Sequence, residues 1–333
     1  MAGLDSQSDA GENAAGNHVE RRCAGWARAN GIDPIGTAGS YAGFVLVEWP
    51  LPWARDVADI AHLAALVQRA TAAQLRVQLL APRTGRRGES LVSLFRWKPD
   101  TGRFHAREVT VATELVAEAA CALVEDEDEG AGADGEAWTG HTLLVCGHGR
   151  RDRCCGSLGV ALELALAGSE TPGDLRVYRT SHTGGHRFAP TAILLPEGTS
   201  WAYLDPDLAR AVVDRSLPSA RMRPHYRGCA GLASSAAQAL EGAVFEEVGW
   251  SLFDRPRSTG LVLGQADVLE LHIGGHRAET WRAHVAPGRR VPVPVCGKDI
   301  SASEKDEVEF VVSGLERMPD NGGTTPGYES EVP

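Results

Sequence analysis

The sequence predicts an α/β protein built from two successive units, each ordered β-α-β-β-β-α, with a small β-rich extension after them. Three observations predict it. Short apolar runs rich in β-branched residues recur between 43 and 111 and again between 142 and 203. Stretches with helical spacing fall at matching points in both series, and residues 260 to 312 alternate apolar and polar in short runs.

In the first unit, Gly43 to Trp49 reads as a buried strand, and Asp56 is positioned to cap a helix carrying Val57, Ile60, Ala64 and Val67 on one face. Leu75 to Leu80, Ser90 to Arg96 and Phe104 to Val111 read as strands, followed by a helix from Thr113 to Leu123. The second unit repeats this with a strand at Thr142 to Val145, a helix at Ser157 to Leu166, and strands at Leu175 to Arg179, Thr191 to Leu195 and Trp201 to Tyr203. A helix at Leu208 to Val213 closes it. This is a thioredoxin-like layout, in which a mixed sheet with helices on both faces supplies each unit's core. A further helix at Ala236 to Glu247 leads into the extension, where "DVLELHIGGHRAETWRAHV" is a hairpin pattern turning at Gly274-Gly275.

The chain of 333 residues is 43% hydrophobic, enough for two cores. Residues 1–20 mix Ser, Gly, Asn and acids and read as disordered, and 313–333 resemble them. The acidic run at 125–137 reads as a linker between a unit at 21–124 and one at 138–250, with the β-rich extension at 251–312. With 33 Lys+Arg against 44 Asp+Glu, the net charge of −11 argues against nucleic acid or an anionic membrane as a partner. The polar start lacks a secretory signal pattern, and seven cysteines without regular spacing favour reduced thiols or metal ligands over disulfides, so the expected compartment is the cytoplasm.

The chemistry concentrates in two loops of the second unit. "CGHGRRDRCCG" follows the first strand and carries Cys146 and Cys155; "HTGGH" follows the next and carries His182 and His186. Gly184 and Gly185 prevent a continuous helix there and let the backbone approach closely. If the two strands are parallel, both loops meet at one edge and form a Cys2His2 set. Thiolate with imidazole suits Zn2+ or an iron–sulfur cluster. Structural zinc is the commoner case, yet its first pair usually has two to four intervening residues. Here eight intervene, a loop long enough to wrap a larger cofactor.

Together with "DPIGTA" at 33–38, "LVEWPLPWARD" at 46–56 and "RGCAG" at 227–231, the paired loops resemble the sucrase/ferredoxin-like family of thioredoxin-like ferredoxins, which includes the fungal actin-patch-distal proteins. The resemblance covers most of residues 21 to 300. It implies a [2Fe–2S] cluster ligated by Cys146, Cys155, His182 and His186, with Cys155 preferred over its neighbour Cys154 because it keeps the family spacing. It also implies a soluble electron carrier, served by a flavoprotein or ferredoxin reductase. A zinc-stabilised binding or scaffold module, and a reductase whose substrate meets the cluster directly, are the alternatives.

Around the loops, Arg150, Arg151 and Arg153 are candidates for attracting an acidic redox partner, or else pair with local carboxylates such as Asp152. His148 is expected to support the loop from behind rather than to ligate. A second H-x-G-G-H, His272 to His276, reads as strand residues around a turn. Cys121 reads as a small buried hydrophobe, and Cys23, Cys229 and Cys296 as structural, with no partner identifiable. No dinucleotide fingerprint, Walker loop or nucleophile elbow is present, no carboxylate pair suited to glycoside hydrolysis can be assigned, and the first unit offers no ligand set.

Overall fold

A computed structural model describes residues 23–83, 88–126, 139–168, 174–265, 267–296 and 298–319. The polar start at 1–20, most of the acidic run and the tail from 320 lie outside the described residues.

The chain opens with α1 (Cys23–Ala29). The first unit is β1 (Gly43–Glu48), α2 (Ala64–Ala72), β2 (Leu75–Leu80), β3 (Glu89–Lys98), β4 (Arg103–Ala112) and α3 (Val116–Glu125). The second is β5 (His141–Cys146), α4 (Val160–Ala167), β6 (Leu175–Thr180), β7 (Ala192–Leu195), β8 (Thr199–Trp201) and α5 (Pro206–Asp214). Both follow the predicted order. Asp56, expected to cap α2, instead begins a 3-10 turn at Val57–Asp59, and the α-helix starts only at Ala64. At α5, Asp205 accepts a hydrogen bond from the Leu208 amide, with Pro206 fixing the first turn.

All nine strands through β9 (Tyr226–Cys229) form one sheet, ordered β4-β3-β1-β2-β6-β5-β7-β8-β9. Within each unit the first two strands are parallel, the third runs antiparallel to the first, and the fourth antiparallel to the third. The units join through β2 and β6 at a single antiparallel register pair, Leu80 with Thr180. Each is the last residue of its strand, so the C-terminal edges of the two parallel pairs face each other. That meeting point positions the candidate site.

Alternating side chains divide the cores. Val45 and Val47 of β1 pack beneath α2 and α3, while Phe44 and Leu46 enter a core with Phe95, Phe104, Leu144, Tyr178, Ile193 and Leu195. Among the described residues, no helix residue belongs to that second core. The anticipated helices on both faces are therefore replaced by mutual cover, each unit closing the other's inner face. The sheet curls enough for the Phe104 amide of β4 to donate to Pro196 O, between β7 and β8, at 2.8 Å.

After β8 the chain adds α6 (Ser219–Met222), β9 and α7 (Ser235–Val248), then a four-stranded antiparallel sheet, β10 (Arg257–Leu261), β11 (Val268–Ile273), β12 (Glu279–Pro292) and β13 (Asp306–Arg317). β13 pairs with β12 as far as Arg317, so ordered strand continues past the expected boundary at 312. This sheet packs on α7, with Leu271, Ile273 and Val285 against Leu240, Val244 and Phe245. A fully buried ion pair, Arg257 with Glu241 at 2.6 Å, ties β10 to α7. Glu241 also accepts from Tyr226 Oη at 2.6 Å and from the Cys229 amide at 3.1 Å.

Candidate metal centre

Strand β5 ends at Cys146, which is fully buried. The following loop returns to the strand end as a π-helical turn, Cys155–Gly159, a geometry often found at functional sites. Gly159 makes this possible, because any side chain there would run into the Cys146 carbonyl. Strand β6 ends at Thr180, and the carbonyl of His182 just beyond it accepts from Arg76 at 3.1 Å and Gln78 at 3.3 Å, both on β2. Gly184 and Gly185 take φ of 84° and 69°, the left-handed region, and the buried Arg227 guanidinium fills the space where a Gly185 side chain would lie.

Of the predicted ligands, Cys146 neighbours both Cys155 and His182. The neighbouring Cys155 thiol, together with His182 and the Thr183 amide, holds the Cys146 thiol well below the usual thiol range despite burial. Cys155, as donor to Cys146, is pushed up in turn. His182 joins His186 through Asp152, whose Oδ2 is 2.8 Å from His182 Nδ1 and whose Oδ1 is 3.4 Å from His186 Nδ1. Burial disfavours charge on His182, but Asp152 and Cys146 outweigh it, and its pKa is raised. Neither His182 Nδ1 nor Asp152 Oδ2 is aligned in a regular hydrogen bond, although both are buried. Buried sulfurs and imidazoles with incompletely satisfied polar atoms suit a thiophilic metal or an iron–sulfur cluster.

His186 has a second set of neighbours. Its Nε2 is 2.7 Å from Pro294 O, and its ring lies with Cys23 and Cys296 in a group whose ligand atoms are all within 4.8 Å of one another. Cys23 Sγ is 3.6 Å from Cys296 Sγ, which is 3.8 Å from Cys154 Sγ. The adjacent thiols thus diverge, Cys155 toward Cys146 and Cys154 toward Cys23 and Cys296. Cys23 and Cys296, for which the sequence identifies no partner, border the candidate centre.

His148 is buried edge-on against Trp53, with ring centroids 5.7 Å apart, and burial lowers its pKa. Arg150 and Arg153 are exposed. Arg151 pairs with Asp56 from the first unit, not with Asp152, which turns inward to the histidines. His272 sits on β11 beside Thr280 and His276 is exposed in the turn, as the alternating pattern predicts. Cys229 is buried and bonds the Glu197 carbonyl, while Cys121 is only half-buried, beside Arg69. Asp152, Arg227, Cys23 and Cys296 were the contributors that sequence reasoning missed. Three unassigned cysteines in one acidic chain were the only signal for the last two.

Residues 34–228, more than half of the chain, match the family described as sucrase/ferredoxin-like. The chain belongs to that family. This sucrase/ferredoxin-like protein is also similar to the altered inheritance of mitochondria protein 32 of Meyerozyma guilliermondii, 28% identical over 98 residues, or 27% of this chain and 35% of the relative. It thus spans about a third of that relative's length. No solved structure matches it. Cys146, Cys155, His182 and His186 fall within the family match, whereas Cys23 and Cys296 fall outside it. No helix among the described residues is long and apolar enough to cross a membrane.

Proposed function

We propose that this protein holds a [2Fe–2S] cluster on Cys146, Cys155, His182 and His186 and carries single electrons in the cytoplasm, between a flavoprotein or ferredoxin reductase and an acceptor. The observation that carries this reading is a single carboxylate, Asp152, reaching both imidazoles at the buried strand end where Cys146 neighbours Cys155 and His182. When bound, a bis-histidine cluster supplies a one-electron acceptor at roughly −150 to +300 mV, against about −400 mV for all-cysteine plant-type ferredoxins.

The chain's own residues set the conditions. The Cys155 thiol, His182 and the Thr183 amide around Cys146 favour its thiolate. Asp152 orients both rings and can share a proton at Nδ1 of His182. Arg76 and Gln78 fix the His182 backbone from the first unit. Both imidazoles keep 16% of their side-chain surface exposed, an edge through which an electron can pass while the sulfurs stay dry. Exposed Arg150 and Arg153 offer positive charge for steering an acidic partner.

The test is the visible absorption and low-temperature EPR of anaerobically purified protein before and after dithionite, with iron and zinc analysis. About two irons per chain and a reducible chromophore are expected. A colourless protein that takes up no iron on anaerobic reconstitution would leave a zinc-stabilised scaffold instead.

A further inference from the structure

Beside the proposed cluster ligands lie three thiols that this reading does not use. Cys23 comes from α1, Cys154 from the ligand loop and Cys296 from the loop after β12, so segments 273 residues apart in sequence deliver sulfur to one point. Cys23 and Cys154 are 5% and 2% exposed. The separations of 3.6 and 3.8 Å are far beyond the roughly 2.05 Å of a disulfide. They match the edge of a tetrahedron of sulfurs around Zn2+, about 3.8 Å for a Zn–S distance of about 2.3 Å. Cys296 thus stands between Cys23 and Cys154, and Cys23 and Cys296 already belong to a set of ligand atoms all within 4.8 Å of one another.

We infer that Cys23, Cys154 and Cys296 bind one Zn2+ ion, separate from the cluster, with a solvent molecule as the fourth ligand. The assignment of His186 to the cluster, and not to this ion, rests on the proposed function above. Three protein ligands and a solvent position are a coordination that zinc accepts. The ion fastens α1 and the loop after β12 to the loop that carries Cys155. It therefore pins a cover over the cluster edge, in which Pro294 O already meets His186.

The test uses the full chain purified anaerobically without chelator and incubated with Zn2+. Zinc-edge X-ray absorption of the unaltered protein should show three sulfurs at about 2.3 Å, with about one zinc per chain. The double variant Cys23→Ser, Cys296→Ser should lose that zinc and keep the same iron content as the unaltered protein. Zinc absent from the unaltered protein, fewer than three sulfurs around it, or zinc retained in a folded double variant overturns the inference. So does iron lost in parallel with zinc from a folded variant, because the thiols would then serve the cluster. An unaltered protein with zinc on three sulfurs but no iron would overturn only the cluster reading.

Discussion

Replacing Gly159 by alanine tests whether the tight seat of the π-helical turn on the end of β5 holds the ligands together. A methyl carbon there would lie 1.8 Å from the Cys146 carbonyl oxygen and 2.9 Å from its carbonyl carbon. Carbon and oxygen in close contact need about 3.3 Å, so the turn must retreat by about 1.5 Å. Both sides are backbone, and no side chain can rotate away. Cys155 rides on the turn and moves off Cys146 with it, whereas metal–ligand distances tolerate only about 0.2 Å. Overpacking of this kind costs about 1–3 kcal/mol, and a backbone obstacle puts it toward the top of that range. The assay is iron per chain together with thermal unfolding followed by circular dichroism. Gly159→Ala should lose most of its iron and melt several degrees lower. Gly168→Ala, where the nearest obstacle is Leu164 O at 3.5 Å, should do neither. A Gly159→Ala protein with unaltered iron and melting temperature would show that the contact does not govern the site.

Three other outcomes are expected. Asp152→Asn keeps the shape but removes the charge shared by the two imidazoles, and should weaken metal retention against a chelator by about 10–100-fold; unchanged retention would remove Asp152 from the site. Burial would raise the Glu197 pKa, but His141 and Arg103 outweigh it and hold it at about 2, against 4.5 for an ordinary glutamate. That gap corresponds to about 3 kcal/mol. Because the folded-state pKa is depressed, this stability is present above about pH 4.5 and is lost as pH falls toward 2. Glu197→Gln should therefore be less stable to urea at pH 6 and converge with the unaltered protein in acid; parallel stability curves would contradict this. Glu241→Ala leaves Arg257 buried and unpaired, and should cost about 3–5 kcal/mol in denaturant titrations. The added change Arg257→Met should recover part of that loss, and no recovery would mean that the ion pair is not the source of the cost.

Strands such as β1 and β7 were legible because their apolar runs reflect burial on both faces, a signal local to each segment. Strand β9, with only Tyr226, Arg227, Gly228 and Cys229, has neither the length nor the alternation to announce itself. The joining of the units was also hidden, since one register pair, Leu80 with Thr180, leaves no trace in either strand's pattern. At the site, the two loops stood out because cysteine, histidine and glycine cluster there within a few residues. Pairing with a neighbouring arginine was one alternative for Asp152, because it stands between Arg151 and Arg153, while its contacts in the fold lie across the loop gap. The approach of Cys296 to Cys23 depends on how the terminal sheet packs on α7, and no short window of sequence encodes that.

The shared inner core has a consequence for what the chain can be divided into. Phe44, Leu46, Phe95 and Phe104 meet Leu144, Tyr178, Ile193 and Leu195 across the curl of the sheet. Cut apart, each half would expose an apolar face of the kind that obligate homodimers bury. Expression of residues 138–319 alone should accordingly give an aggregating product, not a miniature ferredoxin. The half without ligands behaves like an inseparable twin: it supplies the missing wall of its sibling's interior, and its Arg76, Gln78 and Asp56 reach over to steady the loops that its sibling displays.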